Sequence, residues 1–466
     1  MSESQVPRNQ ASFTLREIAD ATGGELLRPG MSTHVRGIST DTRALGGGEL
    51  FIALRGERFD GHSMLHQALQ ANAAAALVEE DHAPESMALI RVADTKKALG
   101  DLARAHRLKF EIPVVGVTGS YGKTTTRALI ASALGAKFNV LASEGNFNNE
   151  IGVPMTLFCL DESHGAAVVE MGMRGLGQIA YLAHVARPTI GVITNIGPQH
   201  IELLGSLENI ARAKAELIQA LPPDGIAILP VEGDALAYEY SCIVREGAPH
   251  RVVTFGQNAN ADFAVSDIQT TRDGSITFSL RDMNCVSHSV SLSMPGAHNA
   301  NNAASAIAVA SALGVEVEAT IRALATAQVP GARMRIVPCG GITMIDDCYN
   351  AGPDSMRAAL ETLRDFPNAS RRVAVLGAMK ELGQWSEDEH HKIGKLAASC
   401  ADVLVGVGEE TRAMLEAANV QTIWCEDAKT AALRVKEIVR EGDVVLVKGS
   451  RSVGLEIVVQ SVVNAL

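Results

Sequence analysis

The sequence predicts an α/β protein of several domains, and three observations lead to that fold class. From about residue 111 onward, apolar runs rich in Val and Ile alternate with Ala-rich helical patterns, as in the strand and helix repeats of a parallel sheet. Gly and Pro bound these apolar runs, which is typical of buried strands. The chain has 466 residues, whereas a single core stops growing near about 250 to 300 residues. We therefore expect two to four domains.

The individual elements follow from these patterns. Short apolar runs predict strands at 112–117, 166–170, 189–193, 225–229, 372–376, 403–407 and 444–447. Segments with an apolar stripe predict helices at 124–134, 207–221, 303–313, 355–363 and 428–440. Before residue 110, short segments at 49–54 and 74–78 lie among Gly-rich turns, which suggests a separate small domain. A Pro-Gly turn marks a second break, so we place the boundaries near 109 and 331.

Composition excludes several classes of protein. The chain has 41 Lys and Arg against 53 Asp and Glu, and a net negative charge repels nucleic acid. Seven cysteines without a Cys-x-x-Cys pair are typical of reduced thiols. No apolar run reaches the roughly 18 residues of a membrane span, and the first residues lack the pattern of a signal peptide. We expect a cytoplasmic monomer that binds no nucleic acid.

A phosphate-binding loop follows the first strand of the α/β region and opens a helix. Its residues are Gly119, Ser120, Tyr121, Gly122, Lys123, Thr124 and Thr125. Glycines let backbone N–H groups converge on phosphate oxygens, the lysine reaches the terminal phosphates, and Thr124 can ligate Mg²⁺. The loop is shorter than usual, because Val117 stands where the first Gly is expected. The loop predicts ATP binding, which a nucleotide switch would share, but the Asn-Lys-x-Asp tetrapeptide of a GTPase is absent.

Several further motifs resemble those of the Mur ligase family. They are Glu144 to Asn149, Ile151 to Pro154, Glu170 to Gly172, Asn195 to His200, Ala213 to Glu216 and His298 to Asn302. The resemblance implies a cytoplasmic enzyme that adds amino acids to the nucleotide-linked peptidoglycan precursor. It also implies three domains: a small α/β domain for the UDP-linked substrate (1–109), a central P-loop ATPase-like domain with a mainly parallel sheet (110–330), and a C-terminal Rossmann-like domain (331–466) that binds the incoming dipeptide and closes on ATP.

The resemblance gives metal-binding roles to three residues. Glu170 ends a predicted buried strand, where a carboxylate is costly unless it is compensated, and the family implies that it binds Mg²⁺ with Thr124; a solvent-facing acid is the alternative. His200 resembles the ligand of a second Mg²⁺, although a lone His is more often structural. Lys214 matches a lysine that the family carbamylates into an oxygen ligand, whereas the sequence alone suggests a solvated helix-surface lysine.

Other residues resemble the family's nucleotide contacts. Asn299 and Asn302 match asparagines at the adenine; capping of the following helix is the alternative. Arg333 matches an arginine that reaches the γ-phosphate, and its alternative is a surface arginine beside a linker. Asp347 resembles an acid at the nucleotide, and Asp346 competes for that role.

The first domain and the loop after residue 143 carry the candidate uridine-diphosphate residues. They are Ser39, Thr40, Asp41, Arg43, Asp60, His62, Asn148 and Asn149. The first-domain motifs also read as ordinary polar turns, so both interpretations stay open.

Motifs of the last domain resemble the family member that adds D-alanyl-D-alanine to the UDP-linked muramoyl tripeptide. They are Asp347 to Pro353 and Gly377 to Gly383; that member more often has Asn at the position of Gly352 and Asp at that of Ala378. Candidate dipeptide contacts are Tyr349, Asn350, Lys448 and Arg451, the last two also readable as a solvated basic turn. The sibling ligase that adds the third amino acid usually carries Asp-Asn-Pro-Arg there, which this chain lacks.

The implied reaction uses ATP and two Mg²⁺ ions to form an acyl phosphate, which the dipeptide amine then attacks. Lys123, His200, Lys214 and Arg333 are the candidate catalytic residues. Because the reactants lie on different domains, we expect open and closed forms. The sequence leaves open whether the tripeptide ends in lysine or diaminopimelate.

Overall fold

The computed structural model describes residues 7–29, 33–56, 59–81, 84, 86–245 and 251–465. Its strands form three large sheets, each built from one continuous stretch of chain, and a two-stranded sheet. We call these stretches the first, middle and third domains. Among the described residues, no sheet crosses position 109 or 331, and the boundaries themselves stay predictions. The mostly parallel pairing confirms the predicted α/β fold class.

The first domain is a five-stranded sheet in the order β2-β7-β6-β5-β4, with β1 and β3 paired beside it. The strands are β1 (Ser12–Thr14), β2 (Glu25–Arg28), β3 (His34–Arg36), β4 (Ile38–Ser39), β5 (Leu50–Ile52), β6 (Ala75–Val78) and β7 (Ala88–Arg91). The helices are α1 (Leu15–Thr22), α2 (Leu65–Gln70) and α3 (Thr95–Arg107). Thr14 and Glu17 form a capping box that fixes the start of α1.

The middle domain is a nine-stranded sheet in the order β16-β15-β14-β13-β12-β11-β8-β10-β9. The strands are β8 (Val114–Thr118), β9 (Val140–Ala142), β10 (Ala166–Glu170), β11 (Ile190–Ile193), β12 (Ile226–Pro230), β13 (Arg251–Gly256), β14 (Phe263–Thr270), β15 (Ile276–Arg281) and β16 (Ser287–Leu292). The helices are α4 (Lys123–Leu134), α5 (Gly152–Leu157), α6 (Gln178–Ala186), α7 (Ile201–Leu204), α8 (Leu207–Gln219), α9 (Asp234–Arg245), α10 (His298–Ala312) and α11 (Val317–Ala325). All neighbouring strands between β9 and β14 in this spatial order, including β8, pair in parallel. Strands β15 and β16 form an antiparallel edge.

The third domain is a six-stranded sheet in the order β17-β18-β22-β19-β20-β21, parallel except for β17. The strands are β17 (Arg335–Cys339), β18 (Ile342–Asp347), β19 (Arg371–Gly377), β20 (Val403–Val407), β21 (Gln421–Cys425) and β22 (Asp443–Lys448). The helices are α12 (Pro353–Asp365), α13 (Ser386–Cys400), α14 (Arg412–Ala417), α15 (Ala428–Ile438) and α16 (Glu456–Val463). Apolar clusters cover both faces of this sheet.

The order of strands positions the site. In the middle sheet β8 lies between β10 and β11, so the chain turns in opposite directions on its two sides. Ligands of open α/β sheets bind at such a switch point, beyond the carboxyl ends of the strands. The phosphate loop follows β8, Glu170 is the last residue of β10, and His200 lies in the segment after β11.

Two local interpretations of the sequence are wrong. Helix α10 begins at His298, about one turn before the predicted start, so Asn299 and Asn302 lie inside the helix and do not cap it. Lys448 is the last residue of β22 and is buried, so it does not belong to a solvated turn. Within the described residues, no helix combines the length and the apolar character needed to cross a membrane.

Candidate active site

A cavity of about 1120 Å³ lies where the three domains meet. The first domain contributes the start of α3, the middle domain the phosphate loop and its neighbours, and the third domain the ends of β18 and β22. The predicted residues on its wall are Ser120, Tyr121, Gly122, Lys123, Thr124, Thr125, Asn148, Asn149, Glu170, His200, Lys214, Asn299, Asn302, Arg333, Asp347, Tyr349, Asn350, Lys448 and Arg451. The fold therefore collects most of the predicted site.

Steric constraints explain why both positions of the phosphate loop are glycine. Gly119 has φ 151°, and a Cβ there would lie 1.9 Å from the Thr194 hydroxyl oxygen. Gly122 precedes α4 with φ 77°, a left-handed conformation that favours glycine, and a Cβ there would lie 3.0 Å from Asn302 Oδ1. The loop thus packs closely against both β11 and α10.

The segment after β11 holds the phosphate loop in place, a role that the sequence analysis did not assign. Asn195 receives a hydrogen bond from the Tyr121 N–H at 3.0 Å and donates one to the Tyr121 carbonyl at 2.9 Å. The Gly197 N–H donates to Ser120 Oγ at 2.9 Å. The Ser120 N–H donates to the Asn195 carbonyl. The N–H groups left for phosphate are therefore those of the first turn of α4, which lack helical partners.

Lys123 lies at the start of α4 and turns back over the loop. Its Nζ donates to the Gly119 carbonyl at 2.7 Å and to the Ser120 carbonyl at 3.2 Å. Burial lowers its pKa, while the negative charge of Glu170 acts in the opposite direction. The ammonium is therefore held over the backbone of the phosphate loop.

Glu170 is buried at the end of β10, so the solvent-facing alternative is wrong. Its Oε1 accepts a hydrogen bond from Asn148 Nδ2 at 2.8 Å. Its Oε2 is buried without a hydrogen-bond partner and lies 3.8 Å from Nη1 of Arg127. Arg127 was missed; it follows Lys123 by four residues, so both share one face of α4. An unsatisfied buried carboxylate oxygen suits a cation as its partner.

Lys214 is 2% exposed on α8, so it is not the solvated lysine that the sequence alone suggested. No carboxylate of the described residues lies within ion-pair distance of its ammonium. Burial lowers the pKa of Lys214 well below its ordinary value, and the charge of Lys123 lowers it further. The side chain is therefore pushed toward the neutral amine.

His200 follows β11 and faces the third domain. Its Nδ1 lies 2.5 Å from Oε2 of Glu381, and its backbone is left-handed with φ 62°. Burial lowers the pKa of His200 to about 4, with a further contribution from Lys123 and an opposing one from Glu381. Glu381 lies in the predicted 377–383 motif, but no role was assigned to it.

The start of α10 forms another part of the cavity wall. Asn299 Nδ2 donates to the Pro295 carbonyl at 2.7 Å, and Asn299 Oδ1 accepts from Asn302 Nδ2 at 2.9 Å. His298 beside them lines the cavity, and burial lowers its pKa to about 4. These side chains form a neutral polar wall next to the phosphate loop.

Arg333 packs on an aromatic ring of the third domain. Its guanidinium carbon lies 3.7 Å from the centre of the Tyr349 ring, and that of Arg451 lies 5.6 Å from the same centre. Cations above a tyrosine face are attracted by the ring quadrupole. The tyrosine therefore holds two arginines at the cavity wall. Arg333 is half-buried and also donates to the carbonyl of Pro330 at 3.0 Å, so it lies beside the linker as well, and its role at the γ-phosphate stays a prediction.

A buried ion pair separates the roles of the two neighbouring acids. Asp347 Oδ2 accepts from Lys448 Nζ at 2.6 Å, and its Oδ1 accepts from the Met334 N–H. Burial raises the pKa of Asp347, and the charge of Lys448 opposes that rise. Asp346 instead pairs with Arg335 at 2.7 Å, outside the cavity wall. The structure thus brings Asp347, not Asp346, to the cavity.

The first-domain candidates lie apart from this cavity. Asp41 caps a short helical turn and pairs with Arg43 at 2.8 Å. His62 donates from Nδ1 to Asp60 at 2.6 Å and accepts at Nε2 from the Glu79 N–H, so both its ring nitrogens support a turn. Ser39 lines a smaller cavity of about 300 Å³, directly before half-buried Thr40. Their roles in binding uridine diphosphate stay predictions.

The two candidate uridine-diphosphate asparagines of the middle domain do line the large cavity. Asn148 donates to Glu170, and Asn149 Oδ1 accepts from the N–H groups at the start of α5. Both amides therefore fix the protein's own groups. No group of three His, Cys, Asp or Glu side chains in the described part of the chain forms a metal cluster, so a cation here would take single protein ligands together with phosphate and water.

Comparison with known proteins gives the same family in each of the three domains. The profile described as "Mur ligase family, catalytic domain" matches residues 34–107, "Mur ligase middle domain" matches 117–310, and "Mur ligase, glutamate ligase domain" matches 332–451. The UDP-N-acetylmuramoyl-tripeptide--D-alanyl-D-alanine ligase of Synechocystis is 42% identical over 91% of both chains. The Escherichia coli ligase of the same name is 37% identical over 97% of this chain and 98% of its own.

Solved structures agree with these relatives. A crystal structure of MurF from Acinetobacter baumannii has a TM-score of 0.91 at 33% identity, covering 98% of this chain and all of that one. MurF ligase from Thermotoga maritima, solved with ADP, has a TM-score of 0.83 at 29% identity and covers 92% of this chain and 97% of that one. The site geometry agrees with these relatives, which match nearly the full length of the chain. The chain therefore belongs to the Mur ligase family.

Proposed function

We propose that this chain joins D-alanyl-D-alanine to the UDP-N-acetylmuramoyl tripeptide at the expense of ATP. One observation carries the proposal: a single cavity joins a phosphate loop, a buried carboxylate and amine, and a cationic wall from the third domain. Relatives at 34% to 42% identity bear the name of this reaction, and a related structure contains ADP. The product is one amide bond, with ADP and phosphate released.

The first step overcomes the poor leaving group of a carboxylate. The tripeptide's terminal carboxylate attacks the γ-phosphorus of ATP, the bond to the bridging oxygen breaks, and ADP departs, which leaves an acyl phosphate. Such transfers need positioning and charge neutralisation more than covalent help from the protein. Lys123 neutralises the terminal phosphates. Arg333, held on Tyr349, approaches from the third domain.

The second step forms the amide bond. The neutral amine of the dipeptide attacks the acyl carbon, inorganic phosphate leaves, and the amine loses a proton to solvent. Arg451 lies exposed at the cavity wall and suits the dipeptide carboxylate. Lys448 is already paired with Asp347, so we assign it to holding the Arg333 segment and not to binding the dipeptide.

Two Mg²⁺ ions fit the residues present. Thr124 and the unpartnered Oε2 of Glu170 suit one ion, and His200 with Lys214 suits the other. When bound, the ions supply neutralisation of phosphate charge. Only a neutral amine adds carbon dioxide, and the lowered pKa of buried Lys214 favours that neutral form. The resulting carbamate would give Lys214 the hard oxygen atoms that Mg²⁺ prefers.

The domain roles follow from these assignments. We propose that residues 1–109 bind the uridine diphosphate, residues 110–330 bind ATP, and residues 331–466 bind the dipeptide and close on ATP. The common cavity supports this division, because it needs a wall from each domain.

The two alternatives have less support. The sibling that adds diaminopimelate is a structural neighbour at 18% identity with a TM-score of 0.57, against 0.91 for MurF. An ATP-driven switch would need no acceptor pocket, whereas this cavity extends from the phosphate loop to the first and third domains.

The test is to supply ATP and Mg²⁺ with either the UDP-linked muramoyl tripeptide or the UDP-linked muramoyl dipeptide, vary the amine, and weigh the products by mass spectrometry. We expect a pentapeptide product with D-alanyl-D-alanine. Phosphate release should depend on both the UDP-linked tripeptide and D-alanyl-D-alanine. Product with single amino acids on the UDP-linked dipeptide would instead identify the sibling, and acceptor-independent hydrolysis would identify a switch.

A further inference from the structure

We infer that Glu381 is a positioning residue that completes His200 as a metal ligand, and that it does so only when the third domain is closed on the middle domain. The inference rests on the proposed function, because that function gives His200 its metal. It adds a mechanism by which the domain proposed to bind the dipeptide controls the site proposed to bind ATP.

The contact joins two loops from different domains. Glu381 Oε2 lies 2.5 Å from His200 Nδ1, an ion-pair distance at which the two groups are not yet aligned as a hydrogen bond, and Glu381 Oε1 lies 3.4 Å from Arg174 of the middle domain. Both partners have left-handed backbones, with φ 62° at His200 and φ 63° at Glu381. Residues other than glycine adopt this conformation at a cost, and such strain is concentrated at functional sites. Two strained residues meeting across a domain boundary indicate a contact that the surrounding structure maintains.

A carboxylate on Nδ1 has a definite chemical effect on an imidazole. The carboxylate accepts a hydrogen bond from Nδ1–H, which fixes the tautomer and leaves the lone pair of Nε2 for a metal. Here the carboxylate comes from the third domain, so the imidazole would be oriented by domain closure.

The packing around the contact requires a close approach of the two domains. A Cβ at Gly383 would lie 2.9 Å from Cγ of Glu202, and one at Gly197 would lie 1.9 Å from Oδ2 of Asp354. Residues 197–202 therefore approach the third domain closely on both sides of His200. Since the Gly197 N–H is bonded to Ser120 Oγ, the same segment connects this contact to the phosphate loop.

The experiment measures Mn²⁺ binding to the full chain by electron paramagnetic resonance, with a non-hydrolysable ATP analogue present. Removing the carboxylate with Glu381→Ala should weaken the second Mn²⁺ about 10- to 100-fold and leave the first unchanged. Glu381→Gln keeps an acceptor for Nδ1–H and should retain most of the affinity. The matched control is Glu437→Gln, which removes an exposed third-domain carboxylate that pairs with Arg434.

A second readout follows the imidazole itself. Two-bond ¹H–¹⁵N spectra of histidine-labelled protein, with His200 identified by its loss in His200→Asn, report which nitrogen carries the proton. We expect the Nδ1–H tautomer in the wild type and in Glu381→Gln, and a tautomer mixture in Glu381→Ala. Gly383→Ala keeps the carboxylate but separates the loops, and it should reproduce the spectrum and the Mn²⁺ loss of Glu381→Ala.

The outcomes separate this inference from the proposed function. Wild-type Mn²⁺ affinity and tautomer in Glu381→Ala or in Gly383→Ala, in an enzyme that makes the pentapeptide product, would overturn the inference and leave the function intact. A wild-type chain that forms no product and binds no second Mn²⁺ would remove the proposed function, and the inference with it.

Discussion

The polar residues of the first domain and those of the large cavity are organised in opposite ways. In the first domain, Asp60 and His62 satisfy each other within one turn. At the cavity, Glu170 keeps a buried oxygen without a hydrogen bond, and Lys214 is buried without an ion-pair partner among the described residues. Buried polar groups without partners cost free energy. Buried polar groups without partners therefore indicate the reactive site better than polar turns whose groups are already hydrogen-bonded.

Among the variants that test this difference, Lys214→Met should have the largest effect. We expect product formation to fall about 10³-fold, because a metal ligand would be lost. The free energy of unfolding without ligands should rise by about 1 to 3 kcal/mol, because a buried amine without a partner is removed. Turnover and urea unfolding measure the two effects. The exposed Lys392→Met is the matched control, and a variant that is active yet less stable would contradict the contrast.

Lys448→Met tests the buried ion pair between Lys448 and Asp347, in which each charge has a partner. Removing the lysine leaves Asp347 buried without its cation, so unfolding of the third domain should need about 3 kcal/mol less. Urea unfolding followed by far-ultraviolet circular dichroism gives the value. The double variant Lys448→Met/Asp347→Leu should recover most of the loss, whereas equal stabilities of the single and double variants would mean that the pair is not coupled.

Asn148→Ala sharpens the account of Glu170. The variant removes the amide that fixes the carboxylate at 2.8 Å, so the Mg²⁺ concentration for half-maximal activity should rise about 10- to 100-fold. Activity titrated with Mg²⁺ measures it. Asn139→Ala, at an asparagine bonded to Ser163 away from the cavity, serves as the control. An unchanged Mg²⁺ requirement in Asn148→Ala would separate this amide from the metal.

Asp60→Asn should have the smallest effect, and one that depends on pH. Hydrogen bonds from the His62 backbone, ahead of those from the His62 ring and Arg55, lower the pKa of Asp60 to about 2 from its ordinary 3.8. The ionised group therefore stabilises the fold above pH 3.8, and this contribution is lost as the pH falls through about 2. Because the side chain is half-exposed, we expect a cost of about 0.5 kcal/mol at pH 7. A difference in unfolding free energy that stays constant down to pH 2 would contradict this.

The fold class and the central parallel strands could be predicted from local patterns, whereas more than half of the individual strands and helices were not predicted. Strands β10 and β20 match their predicted bounds, because uninterrupted apolar runs end at turn residues there. The antiparallel strands β15 and β16 were missed, since their alternating residues resemble polar loops when read alone. The start of α10 was missed because its first residues are His and Asn, which have weak helix propensity and are held by tertiary packing.

The site was predictable where chemistry depends on residue type and order. The phosphate loop and Glu170 follow from their place after strands of a parallel sheet. The contacts of Glu381 and Lys448 were not predictable, because they join segments far apart in sequence: Lys448 meets Asp347 at a separation of 101 residues. Burial of Lys214 was equally hidden, since a helix pattern does not say which of its polar residues another element covers.

The central claim is that the cavity activates a carboxylate by phosphoryl transfer. Tripeptide labelled with ¹⁸O at both oxygens of its terminal carboxylate tests it directly, with the released phosphate analysed by mass spectrometry. The account predicts one ¹⁸O atom in each phosphate molecule formed together with pentapeptide. Phosphate without ¹⁸O, in an enzyme that still forms the amide bond, would contradict the account.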